Sequence, residues 1–152
     1  MFKMEEEMLD VLREVRERLN NKNIEWTICG SVNLNLQGID INPSDIDISV
    51  SFDDLDKIKE TFSDFDIIEE GETWNKEGRY FKIKINNIEI EFCGDYDFGK
   101  YYKERLNGNT TKVELDNIKF PVFTLETEKK CYDFANRQEK VHLIKSFIEN
   151  KK

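Results

Sequence analysis

Apolar and polar positions alternate along this chain with two different periods. Met8, Leu12, Val15 and Leu19 recur at helical spacing with Glu and Arg between them, predicting an amphipathic helix over residues 4–20 that Asn20-Asn21 ends. Residues 24–29 read as a short strand. Ser31 then stands where it can cap a helix reaching residue 36, stopped by Gly38. After the Asn42-Pro43-Ser44 break the period changes to two. Over residues 45–51, Ile46, Ile48 and Val50 point to one side of a predicted strand, and Asp45, Asp47 and Ser49 to the other.

The same reading predicts a helix over 53–62 and a strand near 65–68. Residues 79–85 and 88–93 alternate around Asn86-Asn87, a hairpin signal, and Asp116-Asn117 marks a second hairpin. Beyond Pro121 the spacing turns helical again, over about 125–137 and 139–149. Helices and strands thus mix along the chain, an α/β (α+β) pattern without repeats or linkers, and its 152 residues fit one domain spanning 1–152.

Composition changes this picture in three ways. With 38% apolar residues and 11 phenylalanines the chain can build a core despite 36% charged residues. A net charge of −9 opposes binding to a nucleic acid backbone and suits small, cation-neutralised substrates. No apolar run approaches the roughly 20 residues needed to span a bilayer, and no signal-like stretch opens the chain, so a cytoplasmic location without membrane contact is expected. Cys29, Cys93 and Cys131 lack Cys-x-x-Cys spacing and read as small buried hydrophobes.

Two features carry chemistry. Asp45 and Asp47 hold carboxylates on one side of a strand at close range, where their repulsion calls for a cation; all-oxygen donors suit Mg2+ or Mn2+ rather than zinc. A solvated acidic face on an edge strand is the plainer alternative. Fifteen residues upstream of Asp45, Gly30-Ser31 lies between a strand and a helix start, where glycine permits close backbone approach and helix N–H groups favour phosphate. An anion site beside a cation site is what phosphoryl chemistry requires.

Cys29-Gly30-Ser31, Leu36-Gln37-Gly38 and Pro43-Ser44-Asp45-Ile46-Asp47-Ile48 together resemble the polymerase-β-type nucleotidyltransferase superfamily. The resemblance is to its small prokaryotic branch, which includes aminoglycoside and lincosamide adenylyltransferases. It implies a mixed β-sheet with flanking helices and a C-terminal helical pair. It also implies a third carboxylate on a later strand, here Glu91, with Glu89 as the alternative on the same face; the family more often has aspartate there. Asp45, Asp47 and Glu91 would then be the catalytic metal ligands, and Gly30 and Ser31 would hold the terminal phosphates of an NTP, with ATP as the expected donor. The activity implied is transfer of a nucleoside monophosphate to a hydroxyl of a small-molecule or protein acceptor. The C-terminal stretch has Arg137-Gln138-Glu139-Lys140 where this branch carries an Arg-Pro-Lys-Asp turn.

Several other residues read as structural. Lys82 and Lys84 share one face of their strand and suit solvent better than triphosphate. Asp95 and Asp97 suit a loop cap, and His142 suits surface or packing. Trp26, Trp74 and the aromatic residues of 98–102 suit core or rim packing, with Tyr101 and Tyr102 leaving base stacking open. Two further readings accompany the enzyme: a non-catalytic nucleotidyltransferase-like binding module, such as an antitoxin-type partner protein, and a plain acidic α/β domain without a ligand. The absence of a basic residue before the Asp-x-Asp strand, where Asn42 stands, keeps the binding module in view.

Overall fold

A computed structural model describes residues 3–74, 76–95 and 109–151 of the chain. Seven strands form one mixed sheet: β1 (Trp26–Cys29), β2 (Ile46–Ser51), β3 (Ile67–Glu72), β4 (Gly78–Ile85), β5 (Ile88–Asp95), β6 (Thr110–Leu115) and β7 (Ile118–Phe123). Their order is β3-β4-β5-β2-β1-β7-β6. β2 runs parallel to β5 and β1 parallel to β7, while the remaining neighbours are antiparallel. Among the described residues five helices flank the sheet: α1 (Glu6–Asn21), α2 (Gly30–Leu36), α3 (Leu55–Thr61), α4 (Leu125–Phe134) and α5 (Gln138–Asn150).

The two-residue period of β2 decides how the sheet is used. Ile46, Ile48 and Val50 join Phe81, Ile90 and Phe92 from the neighbouring strands in a core closed by Leu12, Val15 and Leu19 of α1 and Ile58 of α3. Phe92 stacks on Phe81 at 5.0 Å and meets Phe62 at 5.1 Å, and burial of such side chains contributes roughly 1.5–3 kcal/mol each. Arg18 of α1 forks onto Asp64 at 2.6 and 2.8 Å while its guanidinium lies over Phe62 and Phe65, tying α1 to the end of α3. A smaller cluster of Leu34, Ile39 and Ile144 joins α2 to α5. The polar face of β2 is thereby turned toward the helices that follow the sheet.

Both predicted hairpins form at the residues expected. Asn86 and Asn87 have φ 51° and 65°, and Asp116 and Asn117 have φ 52° and 66°, the paired positive angles of a type I′ turn, which Asn and Asp tolerate. Elsewhere the boundaries move. The strand expected near 65–68 lies at Ile67–Glu72 on the sheet edge. Its glutamates gave no apolar alternation to read, yet Glu69 and Glu70 are held by Tyr80 and Lys59. The helix expected over 53–62 opens with a 3-10 turn, Phe52–Asp54, because the Ser51 hydroxyl accepts from the Asp53 amide and starts the turn early. Asn136, at φ 59°, ends α4 sooner than expected. Ser31 is not the cap of α2: Gly30 is already in its first turn and Cys29 stands at the cap position.

Candidate active site

Strand register brings the expected carboxylates toward one place. Cys29 of β1, Asp47 of β2, Glu91 of β5, Lys82 of β4 and Glu69 of β3 lie in a single row across the sheet. Asp47 and Glu91 are direct neighbours in the β2–β5 pairing, with their side chains close enough to interact. Burial first, then the charge and hydrogen bond of Glu91, push the Asp47 carboxyl up to about 8, and the charges of Glu128 and Asp45 add to the shift. Glu89 lies opposite Lys84 in the β4–β5 pairing, two residues along the strand from that row.

Asp45 is exposed just before β2 and lines the same cleft as Asp47 and Glu91. The three carboxylates do not form a ready cluster: among the described residues no group of three His, Cys, Asp or Glu is arranged to hold a metal. The Asp47–Glu91 pair nonetheless fits a hard divalent cation, because Mg2+ is commonly bound by one or two carboxylates and completed by water and substrate phosphate.

Gly30 is adapted to this floor in two ways. Its φ of +72° lies in the left-handed region, and a Cβ built on it would stand 2.5 Å from Asp47 Oδ2. Its N–H, expected to face phosphate, instead donates to Glu128 Oε1 at 2.7 Å. The same carboxylate oxygen accepts from Asn33 Nδ2 at 3.0 Å, and Asn33 Nδ2 also donates to the Phe123 carbonyl. Glu128 is 3% exposed. The sequence reading missed it, although an acidic residue on the same helical face as Thr127 and Cys131, the buried side of α4, was the available signal.

Replacing Glu128 by Ala would leave a half-buried amide and a buried carboxamide without this acceptor, at roughly 1–3 kcal/mol. Denaturant unfolding should show that loss, with Glu128→Gln losing less because it retains an acceptor oxygen. An Ala variant as stable as the parent would show that this bond does not hold the turn.

The cleft has a volume of about 740 Å³ between the polar face of the sheet and α4–α5. All three cysteines line it. Of the expected buried hydrophobes, Cys131 alone is buried; Cys29 and Cys93 are half-buried, since the cleft leaves their side of β1 and β5 open. Asp95 is the last residue of β5, 1% exposed, rather than a loop cap. Tyr132, half-buried, has its hydroxyl pKa pushed up by burial and then by Glu128, Cys29 and Asp47. Burial pulls the Lys82 ammonium pKa down, but Glu91, Glu69 and Glu89 more than offset it and leave it raised. On the helical wall, burial and then Arg137 lower that of Lys140.

Trp26 is buried and donates to Asn20 Oδ1, as core packing requires, whereas Trp74 is exposed at the cleft. His142 is exposed. Asp97 and residues 98–102 lie outside the described residues.

The family model described as aminoglycoside-2''-adenylyltransferase matches residues 11–144, most of the chain. The chain belongs to this nucleotidyltransferase family. A candidate nucleotidyltransferase from Thermotoga maritima has a similar crystal structure, with a TM-score of 0.74 at 25% identity over 97% of this chain and 96% of its own. ANT(2'')-Ia in complex with adenylyl-2''-tobramycin gives a TM-score of 0.69 at 12% identity, covering 93% of this chain and 89% of its own. Its solution structure gives 0.72 at 12% identity, covering 95% and 86%. These likenesses confirm the mixed-sheet nucleotidyltransferase fold. No curated protein matches the chain. Among the described residues no helix is long and apolar enough to cross a membrane.

Proposed function

We propose that this chain transfers a nucleoside monophosphate from an NTP, with ATP the donor its family name points to, to a hydroxyl of an amino-bearing acceptor. The observation carrying this reading is the Asp47–Glu91 pair, two carboxylates held in contact on the cleft floor against Gly30. Asp45, Asp47 and Glu91 are the residues that would hold Mg2+ or Mn2+. When bound, the ion would offset the negative charge of the carboxylates and of the phosphate oxygens they must approach.

Gly30 contributes space rather than its own N–H, which Glu128 occupies. Ser31, half-buried in the first turn of α2 and lining the cleft, then meets the terminal phosphates. Arg137 and Lys140 on the opposite wall supply positive charge to the departing pyrophosphate. The acceptor oxygen forms the new bond to the α-phosphorus, the bond to the pyrophosphate oxygen breaks, and the hydroxyl proton leaves by way of the carboxylate pair.

A second reading, the non-catalytic binding module, is favoured by the absence of a ready three-carboxylate group among the described residues. Incubation with α-labelled ATP, Mg2+ and tobramycin separates the two. Enzyme activity would appear as label on the acceptor together with released pyrophosphate, both lost when EDTA removes the metal. Saturable nucleotide binding without label on any member of an amino-sugar panel would replace the enzyme by the module.

A further inference from the structure

β6 ends the strand order and, among the described residues, pairs only with β7. Its outer edge therefore presents backbone N–H and C=O groups to which a further strand could bond. The ladder shows which residues carry them. The Thr124 N–H donates to the Asn109 carbonyl at 3.0 Å, one place before Thr110 faces Phe123. Antiparallel pairs alternate between those that exchange hydrogen bonds and those that do not. Thr111, Val113 and Leu115 accordingly bond inward to β7, and Thr110, Lys112 and Glu114 turn their backbone groups outward. The two-residue turn at Asp116-Asn117 gives the same phase, because the residues flanking it, Leu115 and Ile118, form a bonded pair.

The side chains of this edge divide in the same way. Val113 and Leu115 are half-buried and pack against the main core, whereas Lys112 and Glu114 are exposed. Glu114 stands opposite Lys119 and Lys112 opposite Pro121, so these charges share one face of the hairpin. Of the other charged residues around them, Arg13 donates to Asp116 at 3.1 Å and Arg16 to the Lys119 carbonyl at 3.0 Å. Glu25 lies just before β1, on the far side of β7.

Antiparallel pairing of this edge with a second copy must set outward residues opposite outward residues. Centred on Val113, the register sets Lys112 opposite the partner's Glu114 and Glu114 opposite the partner's Lys112. Centred instead on Lys112 or on Glu114, it would set lysine against lysine or glutamate against glutamate, which is unfavourable. In the first register the charges on that face run Lys119, Glu114 and then the partner's Lys112, alternating in sign. The opposite edge of the sheet lacks this match: β3 carries Glu69, Glu70 and Glu72 and no cation. We propose that the chain forms a twofold dimer through β6, joining two seven-stranded sheets edge to edge, with the Lys112–Glu114 pairs fixing the register.

A contact one strand long is smaller than a standard interface, so sedimentation equilibrium of the full chain up to about 200 µM should show a reversible monomer–dimer equilibrium. Lys112→Glu and Glu114→Lys should each weaken association about tenfold or more, because the twofold axis repeats every like-charge pair. Combining both in one chain exchanges the signs and should restore association to within about threefold of the parent. Mixing the two single variants should also restore it, as a heterodimer, since one carries two glutamates and the other two lysines at these positions. That mixture separates a lost interface from a lost fold. A parent that stays monomeric at the highest concentration, or assembles beyond a dimer, overturns the proposal. So does a dimer that the single variants keep, or a loss that the double exchange and the mixture do not both recover. Among the described residues no part of β6 lines the cleft, so this proposal and the transfer reading fail independently.

Discussion

Asp47→Asn is expected to reduce nucleotide transfer by roughly a thousandfold while making the metal-free protein more stable at alkaline pH. Both effects have one cause. Asp47 is half-buried against Glu91 with Glu128 nearby, so its charged form is disfavoured and its carboxyl is pushed up to about 8. An unfolded chain releases the same proton at about pH 4. Between these values the folded state binds the extra proton, so stability falls as pH rises from about 4 to about 8 and stays low above that range. Asparagine cannot ionise and removes this loss.

The gain should vanish below about pH 4 and be fully developed above about pH 8, at roughly 2 kcal/mol after discounting for water at the half-buried carboxyl. For a chain of this length that corresponds to a melting temperature higher by roughly 4–8 °C. Thermal unfolding of both proteins in EDTA at pH 4, 7 and 9 measures it. A variant equally inactive but no more stable at pH 9 would mean that the pair is not strained in the metal-free protein.

Gly30→Ala carries the second large effect. An L-residue at φ +72° loses roughly 1–2 kcal/mol to backbone sterics. Its methyl group would also stand 2.5 Å from Asp47 Oδ2, closer than real side chains approach. The carboxylate must then turn away from Glu91 or the α2 entry must shift, and displacement of a reacting group by about 1 Å lowers rates roughly a hundredfold. We expect a stability loss of roughly 2–3 kcal/mol and a transfer loss of about that hundredfold. In an Asp47→Ala background the same substitution should lose the backbone part alone, because the clashing oxygen is gone. Equal stability losses in the two backgrounds would remove the clash from the explanation.

What the sequence made legible was local. The alternation through Ile46, Asp47, Ile48 and Ser49 is a property of one strand, and the turns at Asn86-Asn87 and Asp116-Asn117 need only residues that accept positive φ. Gly30 and Ser31 could be placed at a strand end by their neighbours. The contacts that build the cleft floor are not local. Asp47 meets Glu91 because β2 pairs in parallel with β5, with two strands of sequence between them. Glu128 reaches Gly30 across 98 residues. No spacing rule shows that a glutamate in a C-terminal helix will take the amide a phosphate was expected to use. Trp74 was read as packing because apolar residues usually are; its exposure depends on a hairpin connection meeting the end of α4.

Mn2+ can stand in for Mg2+ and be counted as it binds, through loss of the free-ion electron paramagnetic resonance signal. With a non-hydrolysable ATP analogue present at pH 8.5, the parent protein should bind Mn2+ saturably, and Asp47→Asn and Glu91→Gln should each weaken that binding roughly tenfold or more. Unchanged Mn2+ affinity in both variants would contradict the assignment of the Asp47–Glu91 pair as the place where cation and nucleotide meet.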